Sequence, residues 1–161
     1  MPLYEELVQK YKVHYIAGGA AQNSIRGAQV LPSFFSTTNK QYVLPPNSTV
    51  YVGCVGKDDF AAQLRAATKQ EGVRTEYMTV DTSTGKCGVV ITGHDRSLVT
   101  DLGAANEYKL EHLKSPEIWK LVENAKFFYV GGYHLTVCPP AILELGKHAA
   151  NTNKVQQRPR K

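Results

Sequence analysis

A pair of glycines followed by an amide side chain is the first pattern in this sequence that could support chemistry. Gly18-Gly19-Ala20-Ala21-Gln22-Asn23 lies where a β-prone run gives way to a helical one. Glycines let the backbone approach a ligand without a Cβ clash, the first N–H groups of a helix lack partners within it, and Asn23 offers both a donor and an acceptor. The pattern suits a ligand rich in hydroxyl groups, although a tight turn with a capped helix explains it equally well. It is neither the Gly-x-Gly-x-x-Gly fingerprint nor a Walker loop.

Other candidate residues are weaker when they are taken alone. Arg96 lies at a predicted hairpin turn and could reach a phosphate or carboxylate, but an arginine in a turn is commonly a solvated charge. His94 and Asp95 fit the same turn. Asp58-Asp59 could be a metal-binding carboxylate pair, but helix capping explains Asp58 more simply. The sequence contains no Gly-x-Ser-x-Gly element, and no Cys/His pair identifiable as a nucleophilic unit.

Alternating strands and helices must position these residues. Short β-prone runs predict strands at 13–17, 49–55, 76–80 and 126–130. Apolar residues at helical spacing predict helices at 21–30, 58–71, 115–125 and 140–150. Their predicted inner faces include Ile25, Ala28, Gln29, Phe60, Leu64, Ala67, Ile118, Leu121, Val122, Ala125, Leu143 and Ala149. A strand, Gly56 and a helix capped by Asp58 form the start of a β-α-β crossover, which implies a parallel sheet.

Three segments depart from that alternation. Cys87–Thr92 and Ser97–Leu102 flank Gly93-His94-Asp95-Arg96, which predicts a hairpin with a four-residue turn beside the main sheet. Residues 31–47 are rich in Ser, Thr, Asn and Pro and predict a surface insertion. After the last helix, the pattern predicts no full strand, because only Lys154 and Val155 precede a polar, basic end. We therefore expect an incomplete α/β fold.

Composition excludes several classes of protein. The 161 residues are 42% hydrophobic and 20% charged, which is ordinary for a globular domain. The net charge of +5 falls to +2 without Arg158, Arg160 and Lys161, so the basicity belongs mostly to the tail and predicts no nucleic-acid partner. No run approaches the ~20 apolar residues of a membrane span, and the first residues do not resemble a secretory signal. Three scattered cysteines favour reduced thiols in an intracellular protein.

Four ordered motifs are similar to those of one known family. Ala17-Gly18-Gly19-Ala20-Ala21-Gln22-Asn23-Ser24-Ile25-Arg26 resembles the N-terminal signature of the ribokinase-like (PfkB) carbohydrate kinases, and its Gln-Asn-Ser run that of the adenosine kinases among them. Gly53-Cys54-Val55-Gly56-Lys57-Asp58-Asp59-Phe60 matches the second family element. The segments 92–106 and 129–137 resemble the lid and a later strand and loop of adenosine kinases. The resemblance runs from about Glu5 to Asn153.

The resemblance implies a ribokinase-like sandwich with a mainly parallel central sheet and a small β lid. It implies phosphoryl transfer from ATP, with Mg²⁺, to the 5′-hydroxyl of adenosine, a step of purine salvage that yields AMP and ADP. Matching positions suggest that Gly18, Gly19 and Asn23 hold the ribose hydroxyls. The expected location is the cytoplasm, with the nucleus as a second location, and no membrane partner is expected.

The resemblance also assigns residues in and near the lid. Cys87, Leu98 and Thr100 would line the lid side of the nucleoside pocket, and lid closure would exclude water from the reaction. Arg96 would contact the transferred phosphate and stabilise charge in the transition state. His134 falls where the family usually has an aromatic residue near the base. No residue is assigned to a metal.

Departures from the family pattern leave a main interpretation and two alternatives. The Gly-Ala-Gly-Asp element, whose aspartate activates the attacking hydroxyl in the family, is absent from the 161 residues, as are most ATP contacts. We therefore expect an N-terminal kinase portion over 1–153, with a lid around 87–102 and a basic tail over 154–161 that is unlike the family. The isolated chain would then be inactive. The alternatives are a non-catalytic nucleoside-binding or interaction fragment, able to self-associate through its unfinished sheet, and another ribokinase-like sugar kinase.

Overall fold

The structure, a computed structural model, describes residues 2–35, 44–152 and 155–157. Its helices are α1 Pro2–Lys10, α2 Ala20–Phe35, α3 Asp59–Gln70, α4 Leu110–Leu113, α5 Pro116–Asn124, α6 His134–Val137 and α7 Pro139–Asn151, with a 3₁₀ helix at Gly103–Glu107. Its strands are β1 Val50–Val55, β2 Arg74–Thr79, β3 Lys86–Thr92, β4 Asp95–Asp101, β5 Phe127–Tyr129 and β6 Val155–Gln157. In the described part of the chain, they form three two-stranded sheets.

The first sheet confirms the predicted crossover. Strands β1 and β2 run parallel, with Val50 opposite Arg74 and Val55 opposite Thr79, and α3 connects them. Asp58 caps α3, because its side chain accepts a hydrogen bond from the Ala61 amide at 2.9 Å. The simpler interpretation of Asp58 as a helix cap is therefore confirmed.

The predicted hairpin forms, but its turn is shorter than expected. Thr92 pairs directly with Asp95, which leaves a two-residue turn of Gly93 and His94. Gly93 has φ 62°, which a two-residue turn with glycine at its first position requires. The prediction that Arg96 lies in the turn is wrong, since it lies within β4 and pairs with Ile91.

A third pair of strands includes a strand that follows the last helix. Strand β6 pairs in parallel with β5, with Val155 opposite Phe127 and Gln157 opposite Tyr129. The prediction that no strand follows the last helix is wrong, because backbone pairing does not require the apolar side chains on which that prediction relied. Residues 153, 154 and 158–161 of the predicted tail lie outside the described residues.

Some local predictions also fail. The strand predicted at 13–17 does not form, and its Tyr15 and Ile16 are 52% and 87% exposed. A strand needs a partner for its backbone groups, and no described strand pairs with this run. Helix α2 extends into the predicted insertion as far as Phe35, and residues 36–43 lie outside the described part. Ala28 and Leu143 are exposed, so the prediction that they lie on inner helix faces is wrong. Helix α2 instead buries Gln29, and α7 buries Ala141, Ile142 and Ala149.

The larger apolar cluster lies in the second half of the chain. It joins β1, the 3₁₀ helix and its flank, α4, α5, β5 and α7 through the buried residues Cys54, Ala104, Tyr108, Leu113, Ile118, Val122, Phe128, Cys138, Ala141 and Ala149. Val55, Ala61 and Tyr77 form a smaller cluster between the first sheet and α3. Together they hold the end of β1 and the 3₁₀ helix that follows the hairpin.

The hairpin joins the body through two closely packed segments, 82–85 and 101–104, which we call the lid base. The Ala104 amide donates to the Ser83 carbonyl at 2.8 Å. Buried Thr84 donates to both Asp58 carboxylate oxygens, its hydroxyl at 2.6 Å and its amide at 2.7 Å, and its hydroxyl also accepts from the Gly56 amide at 2.9 Å. The N-cap of α3 therefore anchors the hairpin.

Candidate functional site

The Gly-Gly loop leads directly into the first turn of α2. Gly19 has φ +102°, a conformation that favours glycine, and its carbonyl accepts from the Asn23 amide at 2.8 Å. Gly19 and Asn23 are both exposed. The N–H groups of the first helical turn have no carbonyl partner within the helix. The loop thus presents backbone donors and the Asn23 amide at one surface.

An arginine that sequence reasoning missed holds this loop in place. Arg26 donates from Nε and Nη2 to the two carboxylate oxygens of Glu71, each at 2.5 Å. Its Nη1 donates to the Ala17 carbonyl at 2.8 Å and to Asn23 Oδ1 at 3.0 Å. Hydrogen bonding from Arg26 lowers the pKa of Glu71, so the pair is ionised at neutral pH. Glu71 lies 45 positions away along the chain, and no local pattern links it to Arg26.

A buried polar pair lies beneath the same turn. Gln22 is 3% exposed, and its Oε1 accepts from the Tyr77 hydroxyl at 2.6 Å. Burial raises the pKa of Tyr77, so its hydroxyl stays protonated as a donor. Within the described residues, Gln22 Nε2 has no hydrogen-bond partner. The hydrogen bond between Tyr77 and Gln22 ties β2 to the start of α2.

The four lid residues predicted from sequence lie on one face of the hairpin. Directly opposed residues of antiparallel strands share a face, and faces alternate along each strand. Cys87 pairs with Thr100, while the partners of Leu98 and Arg96 are Val89 and Ile91. The Thr100 hydroxyl also donates to Cys87 Sγ at 3.4 Å. Sequence reasoning missed Val89 and Ile91, although the strand alternation around Cys87 identifies them.

The opposite face of the hairpin packs against α1. A Cβ built on Gly88 would lie 3.6 Å from Leu7 and 3.7 Å from Tyr4. Lys86 Nζ lies 5.3 Å from the centre of the Tyr4 ring and 5.2 Å from that of Phe60. Because α1 covers this face, the face bearing Cys87, Leu98, Thr100 and Arg96 points away from α1 and stays exposed, with Leu98 59% exposed.

His134 begins α6, one residue after the Gly131-Gly132 pair. A Cβ built on Gly131 would lie 3.1 Å from the Ala21 Cβ, so this turn lies against the start of α2. The Tyr108 ring packs on the His134 imidazole with centroids 5.2 Å apart and an interplanar angle of 69°. Burial lowers the pKa of His134, which keeps the ring neutral at neutral pH.

The predicted site residues therefore fall into two groups. The loop group contains Gly18, Gly19 and Asn23, with the turn before His134 packed beside it through Ala21. The lid group contains Cys87, Arg96, Leu98 and Thr100, on a face that the described structure leaves exposed. All four lid residues are exposed, so the structure does not bury them against the loop group.

The described residues contain neither a metal-binding cluster nor a membrane-spanning helix. Among the described residues, no group of three or more His, Cys, Asp or Glu side chains is placed to hold a metal ion. In the same part of the chain, no helix combines the length and the apolar character required to span a bilayer. Cys54 and Cys138 are buried free thiols, and Cys87 is an exposed one.

Several adenosine kinases are similar to this chain in sequence. The adenosine kinase of Schizosaccharomyces pombe is 52% identical over 146 residues, which cover 88% of this chain and 39% of that protein. The adenosine kinase of Saccharomyces cerevisiae is 47% identical over 155 residues, covering 96% and 42%. The chain thus spans about two fifths of the length of these curated relatives.

Solved structures give the same result for the fold. The structure of Anopheles gambiae adenosine kinase in complex with P1,P4-di(adenosine-5) tetraphosphate superposes with a TM-score of 0.87 at 37% identity, over 98% of this chain and 43% of that one. Adenosine kinase from Schistosoma mansoni in complex with adenosine in an occluded loop conformation gives a TM-score of 0.84 at 31% identity, with the same coverage. The predicted ribokinase-like α/β class is confirmed.

The family profile described as pfkB family carbohydrate kinase matches residues 2–160, nearly the whole chain. Together with the parallel β1–α3–β2 unit, the Gly-Gly loop and the separate hairpin, this match establishes that the chain belongs to the pfkB family of carbohydrate kinases.

Proposed function

We propose that this chain carries the nucleoside side of an adenosine kinase active site, in which ATP phosphorylates the 5′-hydroxyl of adenosine. The relatives named adenosine kinase support the substrate, and the family supports a nucleotide co-substrate. The observation that carries the proposal is the shared hairpin face. Cys87, Arg96, Leu98 and Thr100 are scattered over 14 positions but meet on the one face that α1 leaves uncovered.

The loop group fits the recognition of a ribose. Gly18 and Gly19 let the sugar approach the backbone, and Asn23 supplies a side-chain amide at the surface. Hydrogen bonds to sugar hydroxyls favour a ribose over analogues that lack them, and this discrimination grows when lid closure buries the donors and acceptors of the site. We therefore assign Gly18, Gly19 and Asn23 to the ribose, and His134 to the base.

The lid group fits the closing of the pocket. Val89, Ile91 and Leu98 provide an apolar surface for the nucleoside, and closure excludes the water that would otherwise hydrolyse ATP. In the transfer, the oxygen of the 5′-hydroxyl forms a bond to the γ-phosphorus as the bond to the ADP oxygen breaks. The Arg96 guanidinium stabilises the charge on the transferred group.

The base and the metal of this reaction have no assigned residues here. The family's Gly-Ala-Gly-Asp sequence does not occur in the 161 residues. Among the described residues, no group of three or more His, Cys, Asp or Glu side chains is placed to hold Mg²⁺. We place the protein in the cytoplasm, because all three of its cysteines are free thiols. We also retain self-association as a proposal, because Phe127 on β5 is 71% exposed.

Thermal unfolding with and without nucleoside tests the proposed function. Adenosine at about 100 times its dissociation constant is expected to stabilise the 161-residue chain by about 2.7 kcal/mol and to raise the midpoint of unfolding. Ribose alone is expected to stabilise it less, since it lacks the base. The Asn23→Ala variant provides the control, and we expect adenosine to shift its midpoint much less. Equal shifts from ribose and adenosine would favour a sugar kinase, and no shift from either would contradict the proposal.

An assay of AMP formation separates nucleoside binding from catalysis. We expect the purified 161-residue chain to bind adenosine without forming AMP from ATP, because it lacks the Gly-Ala-Gly-Asp sequence. The second candidate function, non-catalytic nucleoside binding, applies to this polypeptide if that result is obtained. AMP formation that depends on Arg96 would show instead that another residue acts as the base.

The affinity for adenosine is expected to depend on His134 and pH. Burial already lowers the pKa of this imidazole, and a stacked adenine would desolvate it further and disfavour the cation. Binding should therefore weaken in acid, as the pH falls below the ordinary imidazole pKa of about 6.5 and the ring gains its proton. Buried Tyr108, which packs on the ring, stays neutral over this range because its pKa is raised by burial. Titration calorimetry of His134→Phe should show a flatter pH profile, whereas His94→Phe in the hairpin turn should not.

A further inference from the structure

Arg26 connects three parts of the nucleoside side that are distant in sequence. It contacts the carbonyl of Ala17 immediately before the Gly-Gly loop, the amide of Asn23 on the first turns of α2, and the carboxylate of Glu71 at the end of α3. Its side chain is only 20% exposed, and that of Glu71 is 30% exposed. A partly buried guanidinium that makes four hydrogen bonds is held much more firmly than a surface arginine.

The contact with Asn23 determines how its amide is oriented. A guanidinium has only donors, so the Asn23 atom that faces it must be the acceptor oxygen Oδ1, as observed at 3.0 Å. Both hydrogens of Nδ2 then point away from Arg26. If the amide rotated by half a turn, two donors would face each other and the hydrogen bond would be lost.

The contact with Glu71 determines where the guanidinium lies. Two parallel hydrogen bonds of 2.5 Å fix both the position and the plane of the group. A lysine in this position has a single ammonium group and does not reproduce the planar fork that reaches Glu71, Ala17 and Asn23 together. The loop carbonyl and the asparagine amide are therefore aligned by one rigid group.

We propose that Arg26 is a positioning residue for the nucleoside site, one that presents Asn23 as a hydrogen-bond donor to a ribose hydroxyl oxygen. The proton of that hydroxyl is then free to be donated to a separate acceptor. This inference rests on the proposed function, because the hydroxyl belongs to the proposed nucleoside. It assigns specificity for a ribose to an arginine that does not itself contact the sugar.

Calorimetric titration of the 161-residue chain with adenosine and with 2′,3′-dideoxyadenosine tests this inference. The wild-type chain should bind adenosine more tightly. Arg26→Met should weaken adenosine binding about tenfold, as expected for a charge-assisted interaction. It should leave the affinity for the dideoxy analogue within about twofold, because that ligand has no hydroxyl for Asn23 to meet. Arg26→Lys should recover only part of the loss.

Two further variants separate positioning from simple support of the fold. Asn23→Ala should lose adenosine affinity to a similar extent, and the Asn23→Ala/Arg26→Met double variant should lose little more than either single change, because both act through one hydrogen bond. Lys147→Met is the matched control, since it removes an exposed cation that pairs with Glu144 on α7. We expect it to change neither affinity.

Each outcome has a defined meaning. The positioning role would be overturned if Arg26→Met lost as much affinity for the dideoxy analogue as for adenosine. It would also be overturned if the losses of binding free energy in the double variant were additive. A wild-type chain that does not prefer adenosine would overturn the proposed function and this inference with it. If Arg26→Met fails to fold, Arg26→Lys decides, because an unchanged preference for adenosine in that folded variant would contradict the requirement for a guanidinium.

Discussion

Replacing Gly103 with alanine is expected to lower the free energy of unfolding by at least about 3 kcal/mol. Gly103 has φ +45°, and a Cβ at this position would lie 2.3 Å from the Ser83 carbonyl oxygen. That contact is with backbone, and the neighbouring amide of Ala104 donates to the same oxygen at 2.8 Å. The lid base must therefore separate to admit a methyl group. Urea denaturation followed by circular dichroism measures the loss.

Gly93 provides the matched control for this substitution. It also has a positive φ, of +62°, but a Cβ there would meet nothing within 4 Å. Gly93→Ala should therefore cost only the backbone strain, about 1 kcal/mol. Similar decreases in the free energy of unfolding at both positions would show that the positive φ, rather than the contact with Ser83, determines the effect. That result would contradict the close packing described at the lid base.

Replacing Asp58 with alanine is expected to cost about 2 to 4 kcal/mol. The substitution removes the cap of α3 and also leaves the amide and hydroxyl of buried Thr84 without their acceptor. Asp59→Ala is the control, because Asp59 is exposed in the first turn of the same helix and does not act as the cap. We expect it to cost less than about 0.5 kcal/mol. Equal effects at both positions would exclude the anchoring role of Asp58.

The contribution of Asp58 should also depend on pH. Burial acts to raise the pKa of this carboxyl, but hydrogen bonds from the Thr84 hydroxyl, the Thr84 amide and the Ala61 amide outweigh it and lower the pKa. A carboxyl whose pKa is lower in the folded state stabilises the fold above its unfolded pKa of about 3.9, and loses that contribution as the pH falls through the folded value. The difference in the free energy of unfolding between the wild type and Asp58→Ala should therefore become smaller as the pH falls below about 3.9.

Features with a local cause could be predicted from the sequence. Asp58 is recognisable as a cap because its side chain and the amide of Ala61 that it caps are only three residues apart. The parallel pairing of β1 with β2 follows from a strand, a glycine and an amphipathic helix in succession. The lid residues Cys87, Leu98 and Thr100 were assigned from a resemblance, and strand alternation then places them on one face.

Features with a distant cause could not be predicted. The Arg26–Glu71 pair joins residues 45 positions apart, and Gln22 reaches Tyr77 across 55 positions. The run at 13–17 has the composition of a strand, but strand formation depends on a partner that its own residues do not specify. The position of Arg96 was missed by a few residues because the turn type, rather than composition, sets where a hairpin strand begins.

The tip of the hairpin offers a practical means of observing the lid directly. Gly93 and His94 form the turn at the end of the hairpin opposite the lid base, and a Cβ built on Gly93 would meet nothing within 4 Å. The turn lies beside the face that carries Arg96. A spectroscopic label that replaces the exposed His94 side chain would be carried by the hairpin as a lever arm. Its distance to a second label on the outer surface of α7 would convert a small rotation at the lid base into a measurable change in energy transfer.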